Sequence, residues 1–102
     1  MRMKKIQRYV EHIAEELDGA KEYIEKALDY KSRGDTVRYT KYKEMSLQEL
    51  GHANIIHEFA VQDIDAFEKV FPEFPQEMLD KWEHAHNEFV EKAAWIKQMQ
   101  SM

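Results

Sequence analysis

Two short stretches of this chain carry a carboxylate and an imidazole three residues apart: Glu49 and His52 in QELGH, and Glu83 and His86 in KWEHAH. On a helix such a pair points to one side, with roughly 5–6 Å between the Cβ atoms. A carboxylate oxygen and an imidazole nitrogen held that close suit iron, manganese or zinc. One pair is weak evidence. A chain with 20 acidic residues and five histidines produces such spacings by chance.

Register separates the first pair from the second. Glu16 lies 18 residues before Gly34, and His52 lies 18 after it. At a rise of 1.5 Å per residue both stand roughly 27 Å from that glycine, and Glu49 stands roughly 22 Å from it. If the chain folds back at Gly34, Glu16 comes level with Glu49 and His52. Three candidate ligands then converge inside apolar faces. Buried carboxylates are costly unless compensated, and metal coordination is one way to compensate them. No acidic partner matches the height of Glu83 and His86, so that pair reads more simply as part of a packed helix face. A secondary metal site is the sharper alternative for it.

The elements that must position these residues are legible from the chain's few breaks. Lys31, Arg33 and Gly34 make a helix ending, with cations at the negative end of the dipole and glycine beyond the last turn. Asp35 can cap the next helix. The sequence thus predicts helix 1 from about Lys4 to Arg33 and helix 2 from Thr36 to Phe67 or Val70. The turn between them is too tight for anything but antiparallel neighbours. FPEFP at 71–75 breaks the second helix, and a third runs from about Pro75 to Met99. The expectation is a single all-α domain over 1–102: a long antiparallel hairpin, 4–70, plus a third helix, 75–99.

Helix 1 carries a core stripe of Ile6, Val10, Ile13, Leu17, Ala20, Ile24, Ala27 and Leu28. Beside it runs the heptad series Tyr9, Glu16, Tyr23, Tyr30, in which Glu16 is the polar exception. Helix 2 predicts a stripe of Tyr42, Met45, Glu49, His52, Ala53, Ile56, Phe59 and Ala60. Its second apolar edge, Leu47, Leu50, Val61 and Ile64, calls for cover from helix 3 or a neighbouring subunit.

Composition narrows the chemistry. The absence of cysteine removes disulfides, thiolate metal sites and cysteine nucleophiles. A net charge of −5 argues against nucleic acid, which calls for a basic footprint. The amino-terminal MRMKKIQRYVEHIAEE has positive charge but no apolar run behind it, and no stretch approaches the roughly 20 apolar residues of a membrane span. A cytoplasmic protein without membrane contact is expected. With 102 residues the core is modest, and self-association would enlarge it.

Di-iron carboxylate bundles use one Glu on each of two helices and a Glu-x-x-His on each of two others. Glu16 and Glu49-x-x-His52 are half of that set. A two-fold axis between two hairpins would supply the other half. At this point the chain resembles ferritins and bacterioferritins, and is most similar to short-chain encapsulated ferritins, whose hairpins dimerise to build the ferroxidase centre. The resemblance rests on EEL at 15–17 with Tyr23, ELGHA at 49–53 and KWEHAH at 81–86, and spans about residues 11–90. It implies a ferritin-like four-helix bundle completed by dimerisation. Glu16, Glu49 and His52 would be catalytic residues and metal ligands of a di-iron centre, with manganese or zinc as other possible ions. It further implies Glu15 and Asp18 near a metal entrance, Tyr23 beside the centre, oxidation of Fe(II) for storage or detoxification, a homo-oligomer of at least two chains up to a ring, and an encapsulin shell as partner. The carboxy-terminal IKQMQSM shows no shell-docking peptide.

Plainer readings stand beside these. Glu16, Glu49 and His52 can form a hydrogen-bonded cluster that specifies helix register in a metal-free, self-assembling helical module, an adaptor or phage-type structural protein. A di-metal peroxide-scavenging protein would use the same ligands. His12 can hydrogen bond Glu16 but is not expected in the site. His57 is expected to pack against helix 3 or a partner, His84 to lie on the surface, and the tyrosines to be core aromatics with hydroxyls reaching water.

Overall fold

A computed structural model describes residues 2–70 and 75–102. Three helices form, α1 (Arg2–Ser32), α2 (Thr36–Val70) and α3 (Gln76–Gln100), with no strand among the described residues. Of the expected breaker, residues 71–74 lie outside the described ones. The helix limits fall within two residues of those expected.

The turn between α1 and α2 forms for the reasons its residues suggest. Gly34 has φ of 78°, the left-handed conformation that ends a helix at least cost in glycine. The Gly34 and Asp35 amides donate back to the Lys31 and Tyr30 carbonyls, and Asp35 Oδ1 accepts from the Arg38 amide at 3.0 Å, capping α2. The Arg38 hydrogen bonds hold the Asp35 carboxyl below the usual range. The two long helices therefore run antiparallel, and the molecule is 57 Å long and 17 Å across.

The third helix lies along one side of the hairpin, parallel to α1. Lys92 pairs with Asp18 and Lys31 reaches the Met102 carbonyl, while Gln100 meets Ser46 on α2. Between the three helices sit Ile13, Leu17, Ala20, Leu50, Ala53, Ala60, Ile64, Trp82 and Ile96. The expected α1 stripe is the core, with Ile6 and Val10 packed at its edge.

The expected α2 stripe is displaced. Met45 and Phe59, placed in the core by sequence, are 37% and 51% exposed, and Leu47 on the second edge is 48% exposed. The buried row combines Ala53 and Ala60 of the expected stripe with Leu50 and Ile64 of the expected second edge, and adds Ser46. α2 packs chiefly against α1 and meets α3 at few points, so the α1 seam sets most of its inward row. The helix turns the wedge between α1 and α3 inward, and the row Met45, Glu49, His52, Ile56, Phe59 faces away from α3. Ile56 is partly buried at the edge of the core and Glu49 is half-buried, whereas Met45, His52 and Phe59 are exposed.

Candidate metal centre

The fold-back at Gly34 does bring Glu16 level with Glu49 and His52. Each offers one ligand atom, and these atoms all lie within 4.8 Å of one another. They converge at mid-length on the hairpin face opposite α3. Glu16 is nearly buried, with 18% of its side chain exposed, Glu49 is half-buried, and His52 is 57% exposed. The imidazole thus does not lie within the apolar interior, as its sequence position suggested. It forms the outer wall of the cluster.

The electrostatics are those of a site short of positive charge. Glu16 Oε1 lies 3.3 Å from His12 Nε2. Glu16 Oε2 is buried and hydrogen bonds nothing, with His52 Nδ1 3.6 Å away. The neighbouring Glu49 carboxyl, together with the two histidines, lowers the Glu16 carboxyl against the opposing effect of burial. The same contact with Glu16, reinforced by burial, pushes the Glu49 carboxyl up. Two carboxylates this close share one proton or require a cation. An unpartnered buried carboxylate oxygen costs on the order of 1–3 kcal/mol or more.

Gly19 makes the geometry possible. It lies inside α1, where glycine costs about 1 kcal/mol relative to alanine. A Cβ there would stand 3.2 Å from Glu49 Oε2. The missing side chain is the space into which the Glu49 carboxylate reaches across from α2. A helical glycine three residues after Glu16 was the available sequence signal. It became interpretable only when its neighbour was known.

Aromatic rings line the same face toward the turn. Tyr42 stacks on Tyr30 with centroids 5.5 Å apart and meets Tyr23 at 6.1 Å. At the other end the Tyr9 hydroxyl donates to Asp63, which also holds Lys5 at 2.9 Å, so this tyrosine is tied to α2. Asp18, expected near a metal entrance, pairs with Lys92 of α3. Two residues beyond Glu16 means about 200° further round the helix, away from the cluster. Glu15 is exposed. His12 does join Glu16, although the sequence reading kept it out of the site.

The second Glu-x-x-His pair does not assemble. Glu83 is exposed, whereas His86 Nδ1 lies 2.8 Å from His57 Nε2 across the α2–α3 contact. His57 packs against α3 as expected. His84 is on the surface beside Glu88. No helix among the described residues is long and apolar enough to cross a membrane.

No protein-family model, curated protein or solved structure matches this chain.

Proposed function

We propose that the chain is a ferritin-like di-metal carboxylate protein that binds and oxidises Fe(II) where two copies meet. The observation that carries this reading is the convergence of Glu16, Glu49 and His52, with a buried carboxylate oxygen left without a donor. Two oxygen ligands and one nitrogen form a donor set for iron, manganese or zinc. Gly19 supports it further, since a helix accepts a costly residue where that residue lets Glu49 approach.

One chain presents half of a di-iron ligand set on a face where Met45, His52 and Phe59 are exposed among the described residues. Met45, Ile56 and Phe59 share the row of Glu49 and His52, so apolar surface surrounds the polar cluster. A second hairpin packed on this face about a two-fold axis would bury those side chains and bring two ligand sets together. Fe(II) is then the substrate, and each ion gives one electron to an oxidant such as dioxygen. Glu16 and Glu49 hold the cations and offset the added charge of the ferric product. His52 offers a nitrogen ligand, and any proton on these groups leaves when a cation enters.

The test is aerobic Fe(II) oxidation together with metal content and solution mass. The chain should bind up to one metal per copy, oxidise Fe(II) well above the buffer rate and assemble at least as a dimer. Glu49→Gln should lower the oxidation rate at least tenfold while helix content is unchanged. Full helicity and unchanged assembly with no bound metal under Fe(II) loading would replace this reading with a metal-free assembly module. Faster turnover with peroxide than with dioxygen would mark a peroxide scavenger.

A further inference from the structure

The His57–His86 contact lies outside the proposed centre. His57 is on α2 and His86 on α3, and their facing nitrogens, Nε2 and Nδ1, stand 2.8 Å apart. Their rings are tilted by 35° at a centroid distance of 4.8 Å, and Trp82 stacks on His57 at 5.7 Å. Both rings border a small cavity of about 100 Å³ between the helices, lined also by Leu17, Asn54, Phe89 and Val90. Both are half-buried, so ions from solvent can reach them.

We infer that His57 and His86 form a second metal site, a bis-imidazole clamp for a divalent transition ion such as zinc that joins α2 to α3. Two nitrogens bound side by side to one ion, each at 2.0–2.1 Å, stand roughly 2.9–3.3 Å apart. The observed separation needs only a few tenths of an ångström of opening. Without an ion, one ring donates its proton to the other. With an ion, both facing nitrogens present lone pairs, and the donor ring moves its proton to its outer nitrogen. That nitrogen is available, because neither ring makes another hydrogen bond among the described residues. A metal-bound histidine normally donates that outer N–H to a carboxylate, a carbonyl or water, and solvent is the partner that both half-buried rings can reach here. Burial, then the neighbouring His86, lowers the His57 pKa, which keeps the ring in the neutral, ligating form at neutral pH. Water completes the coordination sphere.

The site is tested in the full chain carrying Glu49→Gln, which disables the carboxylate cluster, with zinc as the probe. Calorimetric titration should give one zinc per chain with a dissociation constant in the micromolar range, and zinc should raise the unfolding temperature. Adding His57→Gln or His86→Gln should each weaken binding at least tenfold and abolish the thermal shift. His84→Gln should change neither. Should both substitutions perturb folding, the imidazole NMR resonances of the unsubstituted rings decide the matter, since zinc must shift those of His57 and His86 together. Zinc binding that survives either substitution, absent binding in the Glu49→Gln chain, or zinc shifts confined to other histidines would overturn the inference. Fe(II) oxidation by the unaltered chain is independent of all these outcomes.

Discussion

At the residue scale, two glycines in helix interiors have opposite meanings. Gly19 admits the Glu49 carboxylate, whereas nothing lies within 4 Å of a Cβ built on Gly51. Gly51→Ala should therefore stabilise the fold by about 0.5–1 kcal/mol and leave metal binding unchanged. Gly19→Ala gains the same helix propensity but pushes Glu49 aside. Its unfolding temperature should hold or rise while metal affinity falls about tenfold, as thermal melts and metal titration would show. Parallel behaviour of the two variants would mean that Gly19 does not shape the site. Asp63 makes a further prediction at this scale. The Tyr9 hydroxyl and Lys5 lower its carboxyl pKa, so the unfolded chain binds the proton more readily. Its contribution is present above the unfolded value of about 3.9 and is lost as pH falls through the folded value. Tyr9→Phe removes the larger cause and should move the acid-unfolding midpoint to higher pH, as circular dichroism against pH would show.

At the scale of elements, the helices are joined by one polar knot. Ser46 Oγ donates to the Ala20 carbonyl at 2.7 Å and accepts from Gln100 Nε2 at 2.9 Å, linking α1, α2 and α3 within the core. Neither residue stood out in the sequence, because a serine and a glutamine beside an apolar stripe resemble ordinary solvated positions. Their burial follows from the three-way packing. Ser46→Ala leaves the Gln100 amide in the core without an acceptor and should cost about 1–3 kcal/mol in a denaturant titration. A companion Gln100→Met change removes the stranded donor and should recover most of that loss. A double variant no more stable than Ser46→Ala would show that the knot is not the cause.

At the scale of the whole molecule, the hairpin is asymmetric. One broad face is covered by α3, and the other shows Met45, Phe59 and the acidic cluster to solvent. Under the proposed reading this second face is covered by another copy. Phe59 is half-exposed in the single chain, so Phe59→Glu should leave helix content intact. It should shift the solution mass to that of one chain and reduce Fe(II) oxidation with it, both measured by light scattering and oxygen uptake on the same sample. An oligomer of unchanged size would place the subunit contact elsewhere.

The hairpin and the matched height of Glu16, Glu49 and His52 were legible in the sequence alone, because a helix has a constant rise. Equal distances from one glycine bracket any two residues on antiparallel helices. The α1 stripe was legible because its apolar residues fall in one continuous row at helical spacing. The orientation of α2 was not. Its apolar residues occupy more than one face, and only the packed structure shows that Leu50, Ala53 and Ala60 go inward while Met45 and Phe59 face out. The same packing left His52 half in solvent and gave His86 an imidazole, not a carboxylate, as its neighbour. Spacing along a helix determines which side chains share a side. Which side is buried depends on the area that every neighbour can cover, and that is settled only when all three helices pack together.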